Sequence, residues 1–127
     1  MSIVIDSSVV VAALVDSGPH GDWAEEVLAS GSLHAPELVR AEATNIFRRL
    51  ERAKLIATPE ANAAQDDLMQ LDIELFPFEP FAGRIWELRH NVTSYDAWHV
   101  AIAEALNVLL ATLDEPLRNQ MELPANS

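Results

Sequence analysis

The sequence predicts one α/β domain spanning residues 1–127, with a mostly parallel sheet, and three observations support this fold class. Short apolar runs alternate with longer helical patterns along the whole chain. No segment is of low complexity, and no segment repeats another. A chain of 127 residues, half of them hydrophobic, can bury a core without cross-links. Alternating strands and helices form parallel sheets that bind ligands beyond the carboxyl ends of their strands.

The individual elements follow from apolar runs and from helix-capping residues. Strands are predicted at about residues 2–6, 32–35, 73–76 and 108–112, with a weak fifth strand near 121–123. Helices are predicted at 8–15 after Ser7 or Ser8 as the cap, at 20–30, from Pro36 to about Ala53, from Thr58 to about Gln70, at 80–90, at 94–107, and briefly from Asp114. Proline is favoured in a first helical turn, which supports the start at Pro36.

The composition limits both the compartment and the kind of site. The chain has no cysteine, so disulfides and thiolate metal sites are excluded, and a reducing cytosol is the expected setting. The N-terminus has no basic leader, and no run approaches the roughly 20 apolar residues that span a bilayer. We therefore expect a cytoplasmic protein without a membrane segment.

The charge is strongly negative, because 20 acidic residues against 8 basic ones give 20 − 8 = 12 net negative charges. This balance disfavours a broad nucleic-acid or anionic-membrane footprint. Five of the basic residues nevertheless fall in one short segment, namely Arg40, Arg48, Arg49, Arg52 and Lys54. A local basic strip therefore remains, although an exposed arginine usually makes no important contact.

Four acids lie where a folded chain should avoid charge. Asp6 and Asp114 directly follow the apolar strands Ile3-Val4-Ile5 and Val108 to Leu113, at the carboxyl edge of the predicted sheet. An ionised carboxylate costs several kcal/mol to remove from water unless it is compensated. Each of these two aspartates could instead cap the helix that follows it, so neither is decisive alone.

The other two acids interrupt the apolar stripes of predicted helices. Glu42 shares a helix face with Leu38, Ile46 and Leu50, and an ion pair with a nearby arginine is the alternative interpretation. Asp96 begins a helix whose inward stripe continues through Val100 and Ala103. Helix capping would also explain Asp96, but Ser94 offers an alternative cap.

Neighbouring polar residues would support these carboxylates. Ser7 and Ser8 follow Asp6 and could fix its orientation, Asn45 lies one turn beyond Glu42, and Thr112 shares a strand face with Asp114. If the four acids converge at one sheet edge, they repel one another unless a cation binds. Carboxylate oxygens without cysteine suit Mg²⁺ or Mn²⁺ rather than zinc.

Four segments together carry a family resemblance. They are I-V-I-D-S-S, P-E-L-V-R-A-E-A-T-N-I-F-R-R-L, T-S-Y-D-A-W-H-V-A-I-A-E-A-L and L-L-A-T-L-D. Over essentially the whole chain, the sequence resembles the PIN-domain toxins of the VapC type, the ribonuclease halves of VapBC toxin–antitoxin pairs. No single one of these segments is diagnostic of the family. Their order and spacing within one chain carry the resemblance.

The resemblance implies a Rossmann-like α/β/α sandwich with a short, mostly parallel central sheet. It implies a Mg²⁺- or Mn²⁺-dependent endoribonuclease, inhibition by a VapB-like antitoxin, and a homodimer. The family's acidic quartet matches Asp6, Glu42, Asp96 and Asp114, and its supporting hydroxyls match Ser8 and Thr112. Where some members have a fifth acid, this chain has His99, so the resemblance does not supply a fifth carboxylate for a second metal ion.

The resulting hypothesis is metal-assisted hydrolysis of RNA, with Asp6, Asp96 and Asp114 as ligands and Glu42 as a ligand through water or an orienting base. Arg49 and Arg52 are the candidate phosphate contacts. A competing hypothesis is a PIN-like domain that only binds a partner protein. Dehalogenase-like and receiver folds also place Asp after a first strand, but the second Asp and the lysine they need are missing.

Overall fold

A parallel sheet of four strands organises the part of the chain that the computed structural model describes, residues 1–115 and 117. The strands are β1 (Ser2–Ile5), β2 (Ser32–Pro36), β3 (Ile73–Phe76) and β4 (Leu109–Ala111), in the spatial order β3-β2-β1-β4. Each neighbouring pair is parallel. The predicted α/β class with a short parallel sheet is therefore confirmed.

Six α-helices connect or follow these strands within the described residues. They are α1 (Ser7–Val15), α2 (Pro19–Ala29), α3 (Val39–Arg52), α4 (Thr58–Gln70), α5 (Ala82–Glu87) and α6 (Ser94–Leu106), and a 3₁₀ turn at Glu79–Phe81 precedes α5. None of the described helices is long and apolar enough to cross a membrane.

The two faces of the sheet bury different helices because side chains alternate along each strand. Ile3 and Ile5 of β1 pack into a core with residues of α1 to α4. Val4, between them, packs on the opposite side against α5 and α6. The molecule thus has the three layers of an α/β/α sandwich.

Three predicted elements require correction. Pro36 ends β2 instead of opening the long helix, which begins at Val39 with Leu38 as its N-cap. The helix predicted at 80–90 is a 3₁₀ turn followed by the short α5, because Pro80 lies inside the segment and α5 ends at Glu87. The predicted strand at 121–123 and most of the last helix lie outside the described residues.

The position of β1 between β2 and β4 determines where the site forms. In parallel register, Ile5 of β1 pairs with Ala111 of β4. The residues that follow these two strands therefore emerge side by side from the same carboxyl edge. Asp6 is one of them, and Thr112 is the other.

Candidate active site

Asp6 directly follows β1 and caps α1, so the capping interpretation is confirmed. Its Oδ1 accepts a hydrogen bond from the Val9 backbone N–H at 3.2 Å and another from the Ser8 hydroxyl at 2.6 Å. The predicted caps Ser7 and Ser8 are wrong, since Asp6 is the N-cap. The carboxylate is almost fully buried, at 5% exposure.

Thr112 completes the support of Asp6 from the neighbouring strand. Its hydroxyl donates to Asp6 Oδ2 and accepts from the Asp114 backbone N–H at 2.9 Å. Ser8 in turn accepts from the Leu113 N–H at 2.9 Å. The two hydroxyl groups lie 3.5 Å apart, and each donates its hydrogen to Asp6. The carboxylate is thereby held by three donors from two elements.

Glu42 reaches the same region from α3, although its surroundings differ from the prediction. The buried face of α3 consists of Val39, Ala43 and Phe47. The row that contains Glu42 is offset by one residue from that face, and Leu38 in this row is 55% exposed. Glu42 therefore lies half-buried at the border of the core, so it does not interrupt a core stripe.

Ser7 orients Glu42, which the sequence did not reveal. The Ser7 hydroxyl donates to Glu42 Oε1 at 2.6 Å, and Ser7 is buried at 4% exposure. Consecutive residues of a helix point in different directions, so Ser7 and Ser8 serve two different acids. The Ser-Ser pair was a visible signal, but only the packing of α1 on α3 assigns one serine to each carboxylate.

Asp96 lies in the first turn of α6, half-buried. The cap is Thr93, whose hydroxyl accepts from the Asp96 backbone N–H at 3.2 Å, so the predicted cap Ser94 is wrong. Val100 and Ala103 are buried, as predicted for the inward stripe. Burial raises the pKa of Asp96, and the negative charges of Asp114 and Asp6 raise it further.

Asp114 follows the last strand and has two roles in the local structure. Its Oδ1 accepts from the Leu117 backbone N–H at 3.0 Å, which is the predicted capping contact. Its charge also raises the pKa of Asp96, for which burial is the largest cause. Asp114 thus both caps the segment that follows it and acts on Asp96.

The pKa of Tyr95 relates Glu42 to the other acids. Burial raises the pKa of the Tyr95 hydroxyl, and the charges of Glu42, Asp6 and Asp96 add to this effect in that order. Three of the acids therefore raise the pKa of Tyr95, and the fourth, Asp114, raises the pKa of Asp96. We call the four acids named from the sequence, Asp6, Glu42, Asp96 and Asp114, the acidic cluster, because their charges act on neighbouring groups near the carboxyl edge of the sheet.

His99 lies in the same region, behind the carboxylates. It is fully buried, and its Nδ1 lies 2.9 Å from the Tyr95 carbonyl oxygen. Burial lowers the pKa of His99, although Asp6, Asp96 and Glu42 act in the opposite direction. The imidazole is therefore neutral and does not form an ion pair with the acids.

The remaining candidates form no hydrogen bond or ion pair with the four acids among the described residues. Asn45 is exposed and forms no hydrogen bond with the acidic cluster in the described part of the chain. Arg49 and Arg52 are exposed in the last turn of α3. Arg40 is engaged elsewhere, since its guanidinium donates to the Leu71 carbonyl at 2.6 Å, just after α4. Because Arg40 is occupied by this contact, the basic strip has fewer available residues than the sequence suggests.

The carboxylate oxygens of the acidic cluster are chemically suited to bind a hard divalent cation. The ion pairs of the described residues leave all four acids without a cationic partner. Burial and, after it, the charges of Asp114 and Asp6 raise the pKa of Asp96, and a bound cation would offset these effects. Within residues 1–115 and 117, no three Asp, Glu or His side chains form a ready-made set of direct ligands. Water-mediated contacts are common for Mg²⁺.

Comparison with known proteins gives the family. The PIN domain family matches residues 3–120. Ribonuclease VapC1 of Mycobacterium tuberculosis is 38% identical over 122 residues, which cover 95% of this chain and 92% of that protein. Identity at this level over nearly the full length of both chains indicates common family membership.

Two solved structures share the fold at low identity. The sarcin–ricin loop cleaving toxin VapC20 of M. tuberculosis has a TM-score of 0.67 and 16% identity, covering 93% of this chain and 94% of that chain. VapBC2 of Rickettsia felis, solved with a DNA fragment from the VapBC2 promoter, has a TM-score of 0.60 and 16% identity, with 94% and 92% covered. On the sequence match, the chain belongs to the PIN-domain family and, within it, to the VapC ribonucleases.

Proposed function

We propose that this protein is the toxin of a VapBC pair and an endoribonuclease that hydrolyses RNA phosphodiester bonds with the help of Mg²⁺ or Mn²⁺. The observation that carries the proposal is the convergence of four acids on one region, with no cationic side chain paired to them among the described residues. Such a cluster is costly in a protein that does not bind a cation.

The residues that would hold the ion, in part through water, are Asp6, Asp96 and Asp114, with Glu42 as a ligand through water or as an orienting base. Asp6 is held in one orientation by Ser8, Thr112 and the Val9 N–H. When bound, the cation lowers the pKa of a water molecule and offsets the charge of the attacked phosphate. Glu42, fixed by Ser7 at one oxygen, keeps its other oxygen for a proton of the attacking water.

These residues make a protein nucleophile unnecessary. The two serines and Thr112 donate their hydroxyl hydrogens to carboxylates, so their role is to orient the acids. Water would attack phosphorus and displace the sugar 3′-oxygen, which leaves a 5′-phosphate on the product. This outcome follows the chemistry that the family resemblance implies.

The proposal predicts strict dependence of cleavage on a divalent cation. Purified protein should cut single-stranded RNA in Mg²⁺ or Mn²⁺ and should lose this activity in excess EDTA, with recovery after the metal is restored. Mg²⁺ should also raise the melting temperature, because an ion that binds only the folded state stabilises it. Equal cleavage with and without EDTA would disprove the metal role. Absence of cleavage with any divalent ion, despite antitoxin binding, would favour the protein-binding module.

We also propose that Arg49 and Arg52 contact the RNA backbone next to the acidic cluster. Both are exposed on the helix that carries Glu42. Replacing both with alanine should weaken RNA binding and reduce the slope of log K against log salt by about 1.4, since each phosphate contact on a single strand contributes about 0.7. Arg89 is a matched control, because it lies over Trp86 on another element. An unchanged slope in the double variant would contradict this role.

A VapB-like antitoxin is the proposed protein partner, and the groove between α1 and α3 is its proposed docking surface. The groove has a volume of about 540 Å³ and adjoins the acidic cluster at Ser8. Its walls include Val11, Val15, Ile46 and Leu50. A partner segment in this groove would end near the carboxylates, where a basic side chain would complement their charge.

Growth measurements test the toxin–antitoxin role. Expression of the chain should arrest growth, and co-expression of the small protein encoded beside it should relieve the arrest. Placing an aspartate at Ile46 in the groove should reduce that relief while RNA cleavage by the purified toxin persists. Normal growth on expression of active enzyme would contradict the toxin role. A homodimer is part of the same proposal and is measurable by light scattering.

A further inference from the structure

Four buried side-chain polar atoms have no hydrogen-bond partner among the described residues, and three of them lie in one turn of α6. They are Tyr95 Oη, Trp98 Nε1 and His99 Nε2, and the fourth is His34 Nε2 on β2. Buried polar groups are nearly always hydrogen-bonded, to protein or to ordered water. The turn that carries Asp96 therefore concentrates groups that need a ligand.

Tyr95 and His99 form the part of this turn that adjoins the acidic cluster. Their rings are in contact, with centroids 4.7 Å apart and planes at 89°. The charges of Asp6, Glu42 and Asp96 act to raise the pKa of both side chains. Two rings in contact thus each carry a buried polar atom without a partner among the described residues.

The chemistry of these two atoms is complementary. The Tyr95 carbonyl can only accept, so His99 Nδ1 carries the hydrogen of the neutral ring and donates it. His99 Nε2 then carries no hydrogen, and its lone pair can accept a hydrogen bond. The Tyr95 hydroxyl is a phenol, which is protonated at neutral pH, so it can donate. One donor and one acceptor, both buried, define a place for a molecule that both accepts and donates.

We propose that Tyr95 and His99 bind one water molecule behind the acidic cluster. The water accepts from the Tyr95 hydroxyl, donates one hydrogen to His99 Nε2 and donates the other to a carboxylate of Asp6 or Glu42. Three hydrogen bonds are the usual number for a buried water in a protein. Tyr95 and His99 then act as positioning residues, because they orient a carboxylate through this water without contacting the substrate.

The catalytic part of this inference rests on the proposed nuclease function, whereas the water site itself does not. Water-mediated support of a metal-binding carboxylate restricts its orientation, and loss of such outer contacts typically costs about 10- to 100-fold in activity or metal affinity. We expect the effect mainly on kcat, since neither side chain contacts the RNA.

The chain offers a direct spectroscopic probe, because Tyr95 is its one tyrosine. Labelling tyrosine with ¹³C at the ring carbon that bears the hydroxyl gives a single NMR signal. His99→Asn keeps an N–H where Nδ1 donates and removes the Nε2 acceptor. His34→Asn is the matched control, since His34 is also buried, engages Glu74 through Nδ1 at 2.7 Å and has an unpartnered Nε2.

We expect His99→Asn to shift the Tyr95 signal and His34→Asn to leave it in place. Tyr95→Phe, which removes only the hydroxyl, should shift the ¹⁵N signal of His99 Nε2 and lower kcat about tenfold with KM unchanged. If His99→Asn does not fold, the ¹⁵N signal of His99 Nε2 in Tyr95→Phe still tests the water site.

Unchanged NMR signals in both site variants would overturn the water site, and a wild-type kcat in Tyr95→Phe would overturn its catalytic role. If the unmodified protein cleaves no RNA with Mg²⁺, the proposed function fails, but the NMR comparison still decides the water site. The two failures are therefore distinguishable.

Discussion

Replacement of Asp96 by asparagine should lower metal-dependent RNA cleavage by at least about 100-fold, while the metal-free protein becomes more stable. Loss of outer contacts at metal sites already costs about 10- to 100-fold, so loss of a ligand should cost more. The stability change has the opposite sign because burial and the charges of Asp114 and Asp6 raise the pKa of Asp96. The folded metal-free protein therefore tolerates the ionised form poorly.

The pH dependence of this stability change follows from the direction of the shift. The destabilisation is absent below the pKa of Asp in the unfolded chain, about 4, and is complete once the pH exceeds the raised folded value. The melting temperature of the Asn variant should therefore exceed that of the unmodified protein at pH 7. The difference should vanish as the pH falls below about 4.

Melting curves in EDTA and in Mg²⁺ provide the measurement, together with RNA cleavage rates. Mg²⁺ should raise the melting temperature of the Asn variant less than that of the unmodified protein. Asp66→Asn is the matched control, because Asp66 is exposed on α4. Retained cleavage, or an unchanged response to Mg²⁺, would remove Asp96 from the proposed metal site.

Replacement of Thr112 by valine should destabilise the fold by roughly 2 kcal/mol and also reduce cleavage. Valine has nearly the shape of threonine but cannot donate to Asp6 Oδ2 or accept from the Asp114 N–H. An unpaired buried polar group typically costs about 1–3 kcal/mol. For a domain of this size, a melting temperature lower by roughly 6–10 °C is expected.

Thr112→Ser separates the hydroxyl from the rest of the side chain. Serine keeps the donor and acceptor and loses only a methyl group, so most of the stability and activity should persist. Chemical denaturation gives the free energies of unfolding, and cleavage rates are compared at a temperature at which all variants are folded. If valine and serine variants behaved alike, the hydroxyl would have no special role in holding Asp6.

Much of the sheet was predictable because its strands read as short runs rich in apolar residues, and β1 is largely buried. The segment predicted at 73–76 coincides with β3, and the other strands differ by one residue at their ends. Helix starts were less predictable. Pro36 suits a helix start in sequence, but pairing of Pro36 with Phe76 keeps it in β2. A tertiary contact thus outweighed a local preference.

The acids of the site were visible in the sequence because charge after an apolar strand is conspicuous. Their supports were less visible. Ser7 is assigned to Glu42 only by the packing of α1 on α3, and no sequence pattern singled out Tyr95. The apolar row around Glu42 suggested a core stripe, yet Leu38 is exposed, because a helix face cannot be located to within one residue from spacing alone.

The pairing of β1 with β4 also governs the time at which the chain becomes able to react. Asp6 precedes Thr112, which holds it, by 106 positions. During synthesis the site therefore stays incomplete until β4 has left the ribosome and paired with β1. The order of the strands along the chain thus delays assembly of the site until Thr112 has been translated.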